Sequence, residues 1–229
     1  MKRALDNSFQ ALSSSLPATV GLAIAAADGR LIALGTWFTG VAWSTIKVPL
    51  VIAALRAGTD RSDLLYATIT QSDNAAAEAL WSQLGHPAEA ARRVQAVIRD
   101  AGDATTVVES RRLRMDYTPF GQTRWGLADQ ARFAAGLSQV TGPAPVIELM
   151  GRLTPAHRWG LAAKGFAAKG GWGPGLGADY LIRQFAIIPA GAGNIGVALA
   201  AEVSDGGYEA GIDVVNSLTD WVVDEVLAE

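Results

Sequence analysis

The sequence has no cysteine, only four lysines and two histidines. Without a thiol there is no disulfide framework, no cysteine-ligated zinc, no iron–sulfur cluster and no thiol nucleophile. His86 and His157 stand far apart in the chain and form no H-x-x-x-H pair, which excludes a histidine-rich metal site. Neither a metal nor a cofactor is therefore expected. Positive charge is also scarce, with 19 Lys+Arg against 22 Asp+Glu and a net charge of −3. Nucleic-acid binding draws on clustered Lys and Arg, and the densest basic group, Arg111, Arg112 and Arg114, reads as a solvated loop. Long apolar runs are missing too. The run 19–27 stops at Asp28 and Arg30, and 41–55 is interrupted by Lys47, so neither reaches the roughly 18 residues of a membrane span. Met1-Lys2-Arg3 leads into Asp6, Asn7 and Ser8 rather than the apolar core of a signal peptide. Either the chain is cytoplasmic or its export signal is not in this sequence.

What the sequence does hold is a large apolar fraction, 50% of 229 residues with 18% charged, enough to bury a sizeable core and unlike a disordered chain. Residues 20–26 and 30–35 are short apolar runs around Asp28-Gly29, which predicts a β-hairpin closed by a type I′ turn. Helical spacing follows over 48–56, 74–84, 88–101, 127–140 and 146–153, punctuated by Pro87 and Gly142-Pro143. Strand patterns return over 167–171, 180–189 and 194–203, and an amphipathic helix over 208–227 closes the chain. Strands at both ends with helices between predict an α/β (α+β) fold. An antiparallel sheet flanked by helices would be built from 1–43 plus 160–229, with an all-helical lobe over 44–159 inserted and the site in the cleft between them.

Three short motifs can carry chemistry. Ser44-Thr45-Ile46-Lys47 is the only S-x-x-K in the chain. Three residues are just under one helical turn, so both side chains share a face. A serine hydroxyl needs a base to become a nucleophile, and a lysine desolvated by neighbours such as Ile46, Val48, Leu50 and Val51 can be one. The bland reading is a helix cap beside a surface lysine. Ser72-Asp73-Asn74 opens a predicted helix, as ordinary capping residues also do. Lys169-Gly170-Gly171 ends a strand-like run and is followed by Trp172-Gly173-Pro174-Gly175, which a glycine-rich hairpin also explains. Their occurrence together in this order has a chance expectation on the order of 10⁻⁴, and that favours chemistry. Gly191-Ala192-Gly193-Asn194-Ile195-Gly196 matches a dinucleotide-binding fingerprint literally, but a strand pattern follows it instead of a helix, so a hairpin is expected. His157 reads as a structural histidine. Trp37, Trp43 and Trp172 bracket the motifs and serve either a pocket or the core.

With S-x-x-K, S-D-N and a K-T-G-like triplet in that order, the chain resembles the class A β-lactamases and penicillin-binding D,D-peptidases over nearly its whole length. The resemblance implies a β-lactamase/transpeptidase-like fold and a small-molecule or peptide substrate: a β-lactam, a D-Ala-D-Ala-type peptide of peptidoglycan, or a related ester or amide. It implies Ser44 as the acylated nucleophile, Lys47 as its base and Ser72 as proton relay. Asn74 would bind the substrate amide, Lys169 would supply positive charge to a substrate carboxylate and orient Ser72, and the N–H groups of Ser44 and Trp172 would form the oxyanion hole beside Gly170 and Gly171. It also implies work outside the cytoplasmic membrane. Two departures stand out. Gly170 replaces a Thr or Ser whose hydroxyl helps bind the carboxylate. The E-x-x-L-N loop that positions the deacylating water is matched only by Glu109, followed by one extra residue before Leu113 and by Arg114 in place of Asn; Asp116 is a second candidate. Slow deacylation is expected from this. The rival reading is a non-hydrolytic binding or scaffolding protein that keeps the fold.

Overall fold

The computed structural model describes residues 2–191 and 193–227. Met1 of the Met1-Lys2-Arg3 run, Ala192 of the glycine-rich segment and residues 228–229 of the closing segment lie outside the described residues.

The chain opens with helix α1 (Lys2–Ser15), which the strand-and-helix reading above does not contain. Leu5, Phe9, Leu12 and Leu16 fall at helical spacing and pack on the sheet. Strands β1 (Thr19–Ala26) and β2 (Leu31–Gly35) form the expected hairpin. Its turn differs from the expected type. Only Gly29 takes a positive φ, 89°, and its N–H bonds to Ala26 O. Ala27-Asp28 therefore centre the turn with a left-handed glycine after it, the arrangement of a three-residue hairpin loop.

β3 (Thr39–Val41) leads through a 3₁₀ turn, Trp43–Ile46, into α2 (Lys47–Arg56). Then come α3 (Ser62–Thr70), α4 (Asn74–Gln83) and α5 (Pro87–Asp100). A long loop ends at β4 (Arg124–Gly126), which pairs with β3 in a small second sheet. Next are α6 (Leu127–Gly136) and α7 (Ala144–Met150). β5 (Ala167–Pro174), β6 (Tyr180–Ala190) and β7 (Gly193–Val203) follow, and α8 (Gly207–Val222) closes the described fold.

The main sheet is antiparallel throughout, in the order β2-β1-β7-β6-β5. β1 pairs with β7, Thr19 opposite Glu202, so the two ends of the sequence meet at the sheet centre. The glycine-rich segment is a hairpin, with Ala190 opposite Gly193. One face is covered by α1 and α8, where Phe9, Ile182, Leu199, Val215 and Trp221 are buried. The other face packs against α6 and, beyond it, α2 to α5 and α7. Helix α6 falls within the segment read as a helical lobe, yet it lies on β1 and β7. A Cβ on Gly196 would come within 2.0 Å of Ala131 O, so the glycine is what allows helix and strand to touch. β5 is an edge strand, and its free edge faces the helices.

Candidate active site

The S-x-x-K serine lies in the 3₁₀ turn and the lysine at the start of α2. Trp43, immediately before Ser44, has φ 50°, and Ser72 has φ 54°. Among the described residues these two alone, glycines aside, have positive φ. Such conformations cost about 1–3 kcal/mol each and persist only where surroundings impose them. Both fall at motif positions.

The surroundings of the turn are visible. Thr45 Oγ1 and the Thr45 N–H both donate to Ala42 O. Gln130 Nε2 donates to Thr45 Oγ1 (3.0 Å), and Gln130 Oε1 accepts from Arg183 (3.0 Å). Arg183, fully buried on β6, also donates to the carbonyls of Gly40, Val41 and Trp125 and lies over the Trp37 ring. Burial pushes its guanidinium down to about 9, still charged at neutral pH. Trp37 thus belongs to this buried support, while Trp43 and Trp172 line the cavity.

Ser72 closes the loop between α3 and α4. Asp73 caps α4 through Ala76 N (2.6 Å), and Asn74 is its first residue. Lys47 Nζ donates to the carbonyl of Ser72, to Asn74 Oδ1 (2.7 Å) and, at 3.5 Å, to Ser72 Oγ. Lys169 Nζ reaches Ser72 Oγ at 2.8 Å from β5 and also donates to Gly170 O (3.1 Å). Ser72 Oγ therefore sits between two buried amines. Burial pulls Lys47 down to about 7 against the opposing pull of Asp73. Burial, with the charge of Lys47 adding to it, sets Lys169 well below the ordinary lysine range. Ser44 Oγ makes no hydrogen bond among the described residues and is open to the cavity.

The edge strand completes the arrangement. Residues alternate faces along β5, so Lys169 and Gly171 point to the helices while Gly170 and Trp172 point to the opposite side. A Cβ on Gly171 would stand 2.9 Å from each of Ala42 O, Ser44 N and Trp43 Cβ, so only glycine lets strand and turn approach this closely. A Cβ on Gly170 would stand 2.5 Å from Trp159 Cζ2. Trp159 is buried and donates from Nε1 to Tyr208 Oη (3.2 Å). The Trp172 ring packs among His157, Trp159 and Tyr208. His157 is held near Thr154 Oγ1 and Thr70 O, and burial, with Lys169 and Lys47 adding, lowers its pKa.

A cavity of about 360 Å³ opens over Ser44, lined also by Trp43, Lys47, Ser72, Asn74 and Trp172. Glu78, Arg112, Asp116, Tyr117 and Phe120 complete most of its wall. Four of these five were not singled out in the sequence as pocket residues. Glu78 follows Asn74 by one helical turn, a spacing that puts it on the same face. Nothing in the sequence marks Tyr117, Phe120 or Arg112. Glu109 does not line the cavity. Its carboxylate accepts from Arg111 Nε (3.1 Å) and from the N–H groups of Ser110 and Arg111, and the Arg111 guanidinium chiefly holds its pKa below the usual range. The loop presents Arg112 to the cavity instead, paired with Glu78 at 3.0 Å. No group of three or more metal-ligating side chains is present among the described residues.

No family model and no curated protein matches the chain. Solved structures do. A variant of the last common ancestor of Gram-negative class A β-lactamases superposes with a TM-score of 0.73 at 19% identity, covering 98% of this chain and 99% of that one. An ancestral class A β-lactamase gives 0.71 at 20%, covering 96% and 99%. A class A β-lactamase from Mycobacterium abscessus gives 0.71 at 17%, covering 96% and 98%. The chain has the β-lactamase fold.

Proposed function

We propose, with the β-lactamase fold as premise, that this chain is a serine acyl hydrolase whose substrate is a β-lactam, a D-Ala-D-Ala-type peptide or a related ester or amide. The observation that carries the reading is the convergence of three separate stretches of chain: Ser44, Lys47, Ser72 and Asn74 line one cavity, and Lys169 is bonded to Ser72 Oγ. In the reaction Ser44 Oγ forms a bond to the acyl carbon and its proton passes to neutral Lys47. The bond to the leaving nitrogen or oxygen breaks, and Ser72 delivers its proton to it while taking up in exchange the proton that Lys47 received from Ser44, which leaves Lys47 neutral again. The developing oxyanion lies between the N–H groups of Ser44 and Trp172, donors of a kind worth about 2.7–4 kcal/mol to acyl transfer. Water then cleaves the ester, releasing the acid and restoring Ser44. Lys47 and Ser44 need not bond before substrate arrives, since catalytic hydrogen bonds often tighten only in the complex.

Deacylation is the slow half. It needs a carboxylate holding water against the ester, and Glu109 is folded onto Arg111 while Arg112 occupies the cavity wall. A displacement of 1 Å costs on the order of 100-fold. We infer that the work is done outside the cytoplasmic membrane, a reading supported by the likeness to class A β-lactamases.

Intact-mass measurement after exposure to a fluorophosphonate and to a reporter cephalosporin tests the reading. Covalent labelling lost in Ser44→Ala, with a stoichiometric burst and slow steady state, is the expected outcome. Rapid multiple turnover that vanishes in Glu109→Ala overturns the slow deacylation. Silence with both reagents overturns the hydrolase in favour of a binding protein, for which the engagement of Lys47 with Ser72 and Asn74 rather than Ser44 is the supporting observation.

A further inference from the structure

Resting on that reading, we propose that the site selects acyl donors with no carboxylate on the leaving side: neutral esters and amides carrying an apolar or aromatic acyl group. The argument is a census of the charges a substrate would meet. Of the cations near the cavity, Lys169 is buried, spends its hydrogen bonds on Ser72 Oγ and Gly170 O, and is not part of the cavity wall. Lys47 is buried and bound to Ser72 and Asn74. Arg112 is on the wall, but one arm pairs with Glu78 and the other donates to Met115 O and Tyr117 O. Arg114 is stacked against the Trp43 and Tyr117 rings and donates from Nη1 to Pro174 O and Gly175 O; its Nη2 is buried without a hydrogen-bond partner, and the residue is not part of the cavity wall. Among the described residues the cations of the cavity wall, Lys47 and Arg112, are therefore both already bonded to protein partners.

The anions tell the same story from the other side. Asp116 lines the cavity and makes no ion pair among the described residues. A substrate carboxylate would meet this like charge with no cation to offset it, and specificity of this kind is set by repulsion as much as by attraction. A hydroxyl donor beside Lys169 is also ruled out sterically, because the Trp159 ring fills the space a side chain at Gly170 would need. Trp43, Tyr117 and Trp172, beside Thr118, Gly121 and the buried Phe120, bring aromatic surface to the wall that suits an apolar or aromatic acyl group.

Two matched pairs test this: benzylpenicillin against its methyl ester, and 3-carboxyphenyl phenylacetate against its methyl ester. Within each pair only the carboxylate differs. Acylation of Ser44 is followed by intact mass, with each rate divided by that compound's rate of alkaline hydrolysis. The capped compound should lead by at least about fivefold in both pairs, and Asp116→Asn should shrink that lead at least about threefold by removing the opposing charge. Parity, or a lead for the free acid, overturns the inference and leaves the hydrolase standing. Failure of all four compounds while a fluorophosphonate still labels Ser44 also overturns it. Failure of the fluorophosphonate as well overturns the hydrolase reading itself.

Discussion

In the proposed reaction Lys47 sets the pH dependence. Its pKa of about 7 lies below the ordinary lysine value because the side chain is buried, and the neutral amine, present above that pH, is the form able to take a proton from Ser44. Acylation should therefore rise about tenfold per unit below pH 7 and level off above it. A profile flat from pH 5 to 8 in stopped-flow labelling would show that another base acts. Gly171 makes a second residue-scale prediction. In Gly171→Ala the new methyl meets the backbone of Ala42 and Ser44, so β5 must withdraw, and acylation should fall by about 100-fold for a displacement near 1 Å. Labelling at the wild-type rate would count against the strand as an oxyanion donor. The sequence made the identity of the S-x-x-K, S-D-N and K-G-G residues legible because their spacing and order are local properties. The side-chain direction of Glu109 was not legible, because a loop without periodicity carries no information about which way a carboxylate turns, and Arg111 two residues on captures it.

At the scale of elements, the nucleophile turn depends on a strand and helix that are distant in sequence. Thr45, Gln130 and Arg183 form one buried chain of hydrogen bonds beneath the strained Trp43-Ser44 step. Gln130→Leu leaves Thr45 Oγ1 and one arm of Arg183 short of partners, which should cost about 1–3 kcal/mol and lower kcat more than it raises KM, since the turn is loosened while the cavity wall is kept. Equal loss in both, or none, in steady-state kinetics with chemical denaturation alongside, would assign the network to stability alone. Arg183→Lys should not rescue, because a single ammonium cannot span three carbonyls as the guanidinium fork does. This layer had no signal in the sequence. Positive φ at a tryptophan, or a buried arginine without a carboxylate, is imposed by tertiary packing. Helix α3 was missed for a related reason: beside its two leucines, Ser62–Thr70 holds Tyr, Ile and two Thr, whose local preferences lean to strand rather than helix.

Taken whole, the molecule has two cores on the two faces of one sheet. That architecture was legible from strands at both ends of the chain with helices between them, while the position of α6 on the sheet was not, since helical spacing does not tell which neighbour a helix chooses. The two cores should be separable by mutation. Phe9 of α1 is buried against Trp221 of α8, ring centroids 5.2 Å apart, and Trp221 Nε1 donates to Ser8 Oγ. Phe9→Ala should cost about 3–5 kcal/mol, lowering the thermal midpoint by about 6–20 °C for a chain of this size. Labelling of Ser44 well below that midpoint should keep its rate, because Trp172, the site side chain that packs in this layer, rests on His157, Trp159 and Tyr208 and not on Phe9 or Trp221. A parallel loss of labelling rate at 10 °C would show instead that the two faces act as one unit.

The contact between Gly170 and Trp159 constrains which sequences this protein can reach one substitution at a time. Gly170→Thr alone overpacks the ring, and Trp159→Ala alone opens a void, at about 1–3 and 3–5 kcal/mol respectively. Made together, the two changes should cost less than their sum, the signature of coupled sites in contact. A lineage could then gain a hydroxyl beside Lys169 only by crossing a stability valley or by changing the tryptophan first. The side chain behind the edge strand thus acts as a lock: with the ring set against a bare glycine, neither substitution alone adds the hydroxyl without a loss of stability.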